Sequence, residues 1–213
     1  MAESVEAGLR RAIGPFRFEV TAYYTKFIGF IFRRLTGNFC DGDTAVCGPP
    51  GTGELKEAIY SQRDAIFRGG EFQSQWDVAR LGNGWWGVED QFDVVRATFT
   101  DGTNVPRIPP VRVGGGLFYR DVNWLVRVNL LHAFAQHDIA VIGETPTAGY
   151  NLLKAEVSYN KKLKPVGVGP REITVGVVGN NLLNEPIRNH VSYTKDEVLL
   201  PGLGVRLFAN LKF

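Results

Sequence analysis

The chain closes on "PGLGVRLFANLKF" at residues 201–213, where apolar side chains recur at every second position. The residues that share one face are Val205, Leu207, Ala209, Leu211 and Phe213. The opposite face carries Arg206, Asn210 and Lys212 together with Phe208. A repeat of two residues indicates a β-strand with one apolar face and one face that accepts charge.

The same alternation recurs upstream, in "FRFEVTAYY" at 16–24, "WLVRVNL" at 124–130 and "LLKAEVSY" at 152–159. About nine extended segments can be read in total: 3–12, 16–34, 57–80, 85–100, 110–120, 124–136, 150–163, 171–184 and 202–213. Because each segment follows the previous one after a short or moderate connection, the sequence predicts antiparallel, up-and-down pairing.

Composition agrees with an all-β fold. The 213 residues include 25 Gly, 14 Phe and 7 Tyr against a single Met, a balance typical of strands and turns. The net charge of +2 is too small to indicate a nucleic-acid partner. No apolar run is long enough for a transmembrane helix, and "MAESVEAGLRR" at the start is not a signal peptide.

Two architectures fit this alternation. A secreted or surface β-sandwich that binds a glycan or a protein would bury its apolar faces between two sheets, whereas a transmembrane barrel would turn them to lipid and keep a polar lumen. Segment length and the aromatic residues at segment ends favour the barrel. Short and long connections also alternate, which in such barrels places the C-terminus in the periplasm and the 35–56 connection outside. We expect six charged residues to line the lumen: Arg17, Glu19, Arg127, Lys154, Glu156 and Arg206.

Segment 85–100 is less regular than the others. It places Glu89, Asp93 and Val95 on one face and Asp90, Phe92 and Val94 on the other. Either a bulge shifts its register or its charges lie above the membrane.

The two cysteines, Cys40 and Cys47, lie in the Gly- and Pro-rich stretch "FCDGDTAVCGPPGTG" at 39–53. Their proximity favours a local disulfide in an oxidising compartment, and two free loop thiols are the alternative. Asp41 and Asp43 in the same loop could bind a cation or could simply be solvated.

The residues 175–213, "VGVVGNNLLNEPIRNHVSYTKDEVLLPGLGVRLFANLKF", resemble the last two strands of TonB-dependent outer-membrane receptors. The "NLL" at 181–183 and the Pro201–Gly202 start of the last strand carry this likeness, although the family usually has Arg at the position of Leu203. "YYTKFIGFIF" at 23–32 and "GETPTAGYNLLKAEVSY" at 143–159 are similar to the same family, and most closely to its branch of ZnuD-like zinc receptors.

The resemblance implies the C-terminal part of a 22-stranded, antiparallel transmembrane β-barrel, with the whole of 1–213 in the barrel domain. The signal peptide, TonB box and plug domain of the family have no counterpart here, so we expect a fragment. It also implies active import of a metal ion, siderophore or other metal chelate, an outer-membrane location in a Gram-negative cell, and no cofactor. The implied partners are the TonB complex, outer-membrane lipid and the barrel assembly machinery, which would recognise the alternating C-terminal strand ending at Phe213.

Three histidines are the candidate metal ligands: His132, His137 and His190. Imidazole suits Zn, Cu, Fe and Ni, and all three lie near the predicted outer ends of strands, where two sites could meet above the lumen. The alternative is that they are interfacial or loop residues without a ligand. The sequence contains no nucleophile elbow, metalloprotease His-Glu pair or Walker loop, so we do not expect an enzyme.

Overall fold

The computed structural model describes residues 1–164, 169 and 171–213. Its strands are β1 (Ala2–Arg11), β2 (Phe16–Cys40), β3 (Cys47–Gly48), β4 (Leu55–Leu81), β5 (Gly84–Phe99), β6 (Arg112–Arg120), β7 (Trp124–Ala133), β8 (Tyr150–Lys162), β9 (Glu172–Asn180) and β10 (Gly204–Lys212). Within the described ranges, no helix has the length and apolar character that a membrane crossing needs.

All ten strands form one antiparallel sheet in the order β1-β2-β4-β5-β6-β7-β8-β9-β10, with the two-residue β3 paired to β2. Each of the nine long strands corresponds to one predicted segment, so the prediction of an all-β, up-and-down fold is confirmed. A β-sandwich needs a second sheet, and the described residues form only this one. β1 and β10 end the sheet, and each pairs with a single neighbour among the described strands.

Short connections follow β1, β4 and β6, whereas residues 41–54, 100–111, 134–149 and 181–203 make long ones. We call the two ends of the sheet the turn end and the loop end accordingly. The C-terminal residue Phe213 follows β10 at the turn end. The predicted connection 164–170 lies mostly outside the described residues.

The outer face of the sheet is apolar and has aromatic residues along the turn end. Register pairs Phe16 with Trp76, Trp86 with Tyr119, and Trp124 with Tyr159 on this face. Trp76 and Trp124 are 50% and 45% exposed, although they belong to the largest apolar side chains of the chain. A row of exposed amphipathic rings below apolar residues is the pattern of a membrane interface.

β2 is longer than the predicted segment because two bulges interrupt its alternation. The pairing with β4 shifts between Phe27 and Phe30 and again between Leu35 and Phe39. At the first bulge Gly29 adopts a φ of 69°, and its N–H donates a hydrogen bond of 2.8 Å to the Asp64 carboxylate. Glycine is the residue that takes this backbone conformation without steric cost.

Among the residues that the structure describes, the one large apolar core lies on the inner face near the loop end. Phe27, Phe30, Phe32, Phe67 and Phe99 pack there around Ala65 and Ala97, and the loop residues Val105 and Ile108 cover them. The prediction of a polar inner face is therefore wrong for this upper part of the sheet. Burial of aromatic side chains here fixes the 100–111 loop over the strands.

β5 keeps a continuous register with β4 from Val88 to Phe99, and the shift lies lower, at Asp77. Glu89 and Asp93 point to the inner face in this register, and Asp90 points to the outer face beside Ser74. The irregular segment thus needs neither a bulge nor a position above the membrane for Glu89 and Asp93, because a lumen wall accepts charge.

Candidate functional site

The middle of the inner face is a concave, charged wall. Residues from seven strands surround a cavity of about 540 Å³, so the sheet is curled around it. Its lining includes five of the six residues predicted for the lumen: Arg17, Glu19, Arg127, Lys154 and Glu156. Arg206 joins them on the same face, because it pairs with the lining residue Val178.

Glycines in β6 allow charges to meet across this strand. Glu89 of β5 and Arg127 of β7 approach to 3.7 Å, although β6 lies between them. Gly116 of β6 lies opposite both Glu89 and Asn129, and a Cβ there would come within 2.5 Å of the Val128 carbonyl oxygen. The "GGG" at 114–116 therefore supports close packing of the wall, and it does not form a phosphate-binding loop.

A second charged group closes the turn end of the wall. The Asp77 carboxylate, which is 10% exposed, accepts two hydrogen bonds from Arg17 at 2.7 and 3.0 Å. It also accepts hydrogen bonds of 2.7 and 2.9 Å from Arg120. Asp77 lies on β4, Arg17 on the neighbouring β2, and Arg120 on β6, beyond β5, so one carboxylate connects three strands.

At the loop end, a buried ionic cluster joins three long connections, 100–111, 134–149 and 181–203. The carboxylate of Glu144 accepts hydrogen bonds from the backbone N–H of Ala140 at 2.6 Å and of Arg107 at 2.8 Å. Lys195 donates to Glu144 at 3.4 Å and to the Thr145 carbonyl oxygen at 2.6 Å. The side chains of Glu144 and Lys195 are 6% and 5% exposed.

His190 completes this cluster. Its Nδ1 lies 2.9 Å from the Thr147 hydroxyl, and its Nε2 lies 3.4 Å from a Glu144 carboxylate oxygen. The ring is 2% exposed. This predicted metal ligand is thus placed inside a contact between the 134–149 and 181–203 loops.

The cluster strongly perturbs its ionisable groups. Burial is the largest influence on the Glu144 carboxyl and raises its pKa, but the neighbouring His190, the two N–H donors and the Lys195 charge together lower it to about 2. Burial lowers the pKa of Lys195, and the Glu144 charge opposes that shift. Glu144 is therefore a carboxylate at any physiological pH.

A smaller cavity of about 180 Å³ opens beside this cluster. Four of its lining residues are arginines, namely Arg33, Arg34, Arg63 and Arg107. Phe32, Phe99 and Leu35 supply apolar walls. Tyr193 is held between the guanidinium groups of Arg33 and Arg107, at 4.7 and 3.8 Å from its ring centre. The cavity combines positive charge with apolar surface, which suits an anion that also has an apolar part.

The other two histidines lie apart from His190. His132 pairs with Val113 on the outer face of the sheet, and its Nδ1 lies 2.9 Å from the Asn151 amide oxygen. His137 is exposed in the following loop. No described group of three potential metal ligands contains a histidine. Metal binding by these residues stays a prediction.

Cys40, at the end of β2, and Cys47, at the start of β3, form a disulfide with the two sulfur atoms 2.05 Å apart. Glu57 lies near both sulfurs, but bonded sulfurs offer no thiolate to a metal. Asp41 accepts hydrogen bonds from the N–H groups of Asp43 and Thr44 and from the Thr44 hydroxyl, which lower the pKa of Asp41. Its carboxylate thus stabilises the turn.

The C-terminal strand has the predicted faces. Val205, Leu207 and Leu211 are 64%, 80% and 53% exposed, and Phe213 is also exposed. Ala209 pairs with Val175 on the same outer face. Recognition of this strand by the assembly machinery stays a prediction. In the "NLL" motif, the buried Asn181 side chain donates to the carbonyl oxygens of Glu185 and Pro201 and so shapes the last long loop.

Sequence reasoning missed Asp77, Glu144 and Lys195. Asp77 lies on a strand face that alternation could have identified as inner. Glu144 and Lys195 lie in connections without periodicity, and nothing in their sequence indicates that they meet.

Comparison with known proteins agrees with the fold described above. Residues 1–182 match the family model "TonB dependent receptor-like, beta-barrel", and no curated protein matches the sequence. Among solved structures, "Copper transporter OprC" has a similar fold, with a TM-score of 0.70 and 17% identity over all of this chain and 31% of that one. This chain thus spans about a third of that relative's length. The chain belongs to the TonB-dependent receptor-like β-barrel family.

Proposed function

We propose that the chain forms part of the barrel wall of an outer-membrane transporter that imports a metal ion, a siderophore or another metal chelate with energy supplied through TonB. The observation that carries the proposal is the pair of opposite faces on one curled sheet. The outer face is apolar with an aromatic row, and the inner face surrounds a charged cavity. Lipid outside and a hydrated lumen inside require this distribution.

In this proposal the turn end faces the periplasm and the loop end faces the medium, with Phe213 on the periplasmic side. The long connections and the disulfide then lie outside the cell, where an oxidised cysteine pair persists. The charged inner wall faces the plug domain, and the TonB complex acts through that domain. The alternating C-terminal strand is the segment that the barrel assembly machinery receives.

The loop-end cavity supports a metal chelate over a bare cation. Four arginines line it, and among the described residues the histidines do not gather into a ligand set. A bare divalent cation would be repelled by this charge, whereas a carboxylate or phenolate chelate would be attracted. Zinc and copper are the first metals to test, because of the resemblance to ZnuD-like receptors and of the OprC neighbour.

The experiment is uptake of labelled metal, free and as an anionic chelate, by cells with and without the gene. We expect loss of chelate uptake in the deletion strain, recovery on complementation, and no recovery in a strain that lacks TonB. R34Q, which removes one cavity charge, should raise the apparent half-saturation concentration several-fold. Uptake that is indifferent to both the gene and TonB would overturn the proposal.

A further inference from the structure

The outward face of the sheet carries a group of cations where the apolar band ends toward the loop end. In the pairing of β2, β4 and β5, Tyr24, Arg68 and Arg96 lie in one cross-strand row on the outer face. Lys26 follows on the same face of β2, two residues from Tyr24. We call Lys26, Arg68 and Arg96 the outward basic row.

Two arginines directly opposite each other on neighbouring strands destabilise a sheet unless an anion lies between them. Arg68 is exposed and forms no ion pair with any described residue, whereas Arg96 is 3.6 Å from Asp138 and hydrogen-bonds Asn104 at 2.6 Å. Glu3 of β1 lies opposite Lys26 in register. One carboxylate in contact with the arginine pair leaves an excess of positive charge there.

The height of the row above the aromatic residues matches the thickness of a membrane. The strand is roughly 27 Å long from Trp76 to Arg68 along β4. At a strand tilt of about 40°, this length corresponds to a height of about 21 Å along the membrane normal. Between them the outer face of β4 and β5 presents the hydrogen-bonded pair Ser74 and Asp90 next to the aromatic residues, and then Phe72, Phe92 and Val94. An apolar band of about 25 Å is expected for this class of barrel. The row therefore lies at headgroup level, on the side opposite the aromatic residues.

We propose that the outward basic row binds the phosphate of a phosphorylated lipid headgroup in the outer leaflet. The guanidinium group matches phosphate in a bidentate geometry, and the apolar residues below the row offer a surface for acyl chains. Tyr24, in the same row, is an interfacial residue type. A lipid is favoured over free phosphate because the arginines lie on the convex outer face and not in either cavity. The inference rests on the membrane placement proposed above.

The test uses the protein extracted from outer membranes in mild detergent and titrated with diphosphoryl lipid A under native mass spectrometry. Phosphatidylcholine serves as the uncharged comparison, and inorganic phosphate as the competitor. We expect R68Q/R96Q to bind diphosphoryl lipid A about a hundredfold more weakly, because each of the two lost charge-assisted hydrogen bonds is worth about tenfold. R68K/R96K keeps both charges but loses the planar guanidinium groups, so its binding should lie between that of the wild type and that of R68Q/R96Q.

The matched control is K161Q, which removes an exposed outward charge near the turn end of β8 and should leave lipid A binding unchanged. Equal binding by wild type and R68Q/R96Q would overturn the inference, as would complete competition by millimolar phosphate, which would indicate a soluble-anion site. Uptake assays on the same variants separate the two proposals. If R68Q/R96Q loses lipid binding but keeps TonB-dependent uptake, the lipid site is supported as separate from transport. If the wild type binds diphosphoryl lipid A and R68Q/R96Q does not, but neither supports uptake, only the transport function is contradicted.

Discussion

The carboxylate of Glu144 and the ammonium group of Lys195 are 51 residues apart in the sequence and lie 3.4 Å apart in a buried contact between two connections. Asp196, next in the chain, extends this contact: it pairs with Lys56 at 3.4 Å and with the Thr145 hydroxyl. The 134–149 and 181–203 loops are thus connected to each other and to the start of β4. Ionic contacts therefore connect these long loops outside the strand pairing.

The Glu144 contact gives the loops a defined pH dependence. Folding lowers the pKa of Glu144 from 4.5 to about 2, so its contribution to loop stability is complete above pH 4.5 and is lost as the pH falls toward 2. A spin label at V141C, in the exposed part of the loop, should gain mobility over this range. E144Q should show high mobility at every pH; an unchanged pH profile in E144Q would contradict the assignment.

Among the charged residues of the turn end, we expect substitution of Asp77 to cost the most stability. D77N removes the negative charge that Arg17 and Arg120 share, and we expect a loss of about 2 kcal/mol, since hydrogen bonds to charged groups contribute at this level. The measurement is the temperature to which a sample must be heated before the band of the folded form disappears from a gel run without further heating. D43N, in an exposed loop, is the control and should leave that temperature unchanged.

Gly87 lies opposite Asp77 on β5 and should not accept a side chain. A Cβ there would come within 2.1 Å of the Trp76 carbonyl oxygen and 2.5 Å of the Phe118 ring. G87A should therefore destabilise the sheet by about 1–3 kcal/mol, as overpacking does. At Gly115 the nearest atoms would be 3.6 Å away, so G115A should assemble normally. Equal yields of folded protein from both variants would show that the strands shift easily.

The disulfide should order the tip of the β2–β4 hairpin without supporting the sheet. The bond closes a loop of only six residues, 41–46, and pairing of β2 with β4 continues up to Cys40 independently of it. C40S/C47S should thus exchange amide hydrogens faster at 41–46 only. Reduction of the wild type should give the same exchange pattern; faster exchange throughout β2 would refute the local role.

The strands could be predicted because alternation reports directly on two unlike environments. Trp124, Val126 and Val128 face outward, and Arg127 and Asn129 face inward, as their sequence indicates. Prediction failed where that alternation stops. β2 continues to Cys40 because glycine bulges restore its register, and a sequence pattern cannot anticipate this.

The candidate sites were predictable to different degrees. The lumen wall followed from strand faces, so Arg17, Glu19 and Glu156 were identified correctly. The Glu144 cluster depends on how two irregular loops fold, and only the three-dimensional structure brings its residues together. His190 was selected for its chemistry, but the structure places it in a loop contact.

The single-neighbour edges of β1 and β10 have a consequence for assembly. A strand that adds to β1 in register must place lipid-compatible side chains beside Val5 and Leu9, and hydrophilic ones beside Glu6 and Arg10. A slip of one residue would reverse both sets. The two edge strands therefore act as a selective template. They favour an added strand whose apolar and polar residues alternate in the same register, and they disfavour a strand that is shifted by one residue.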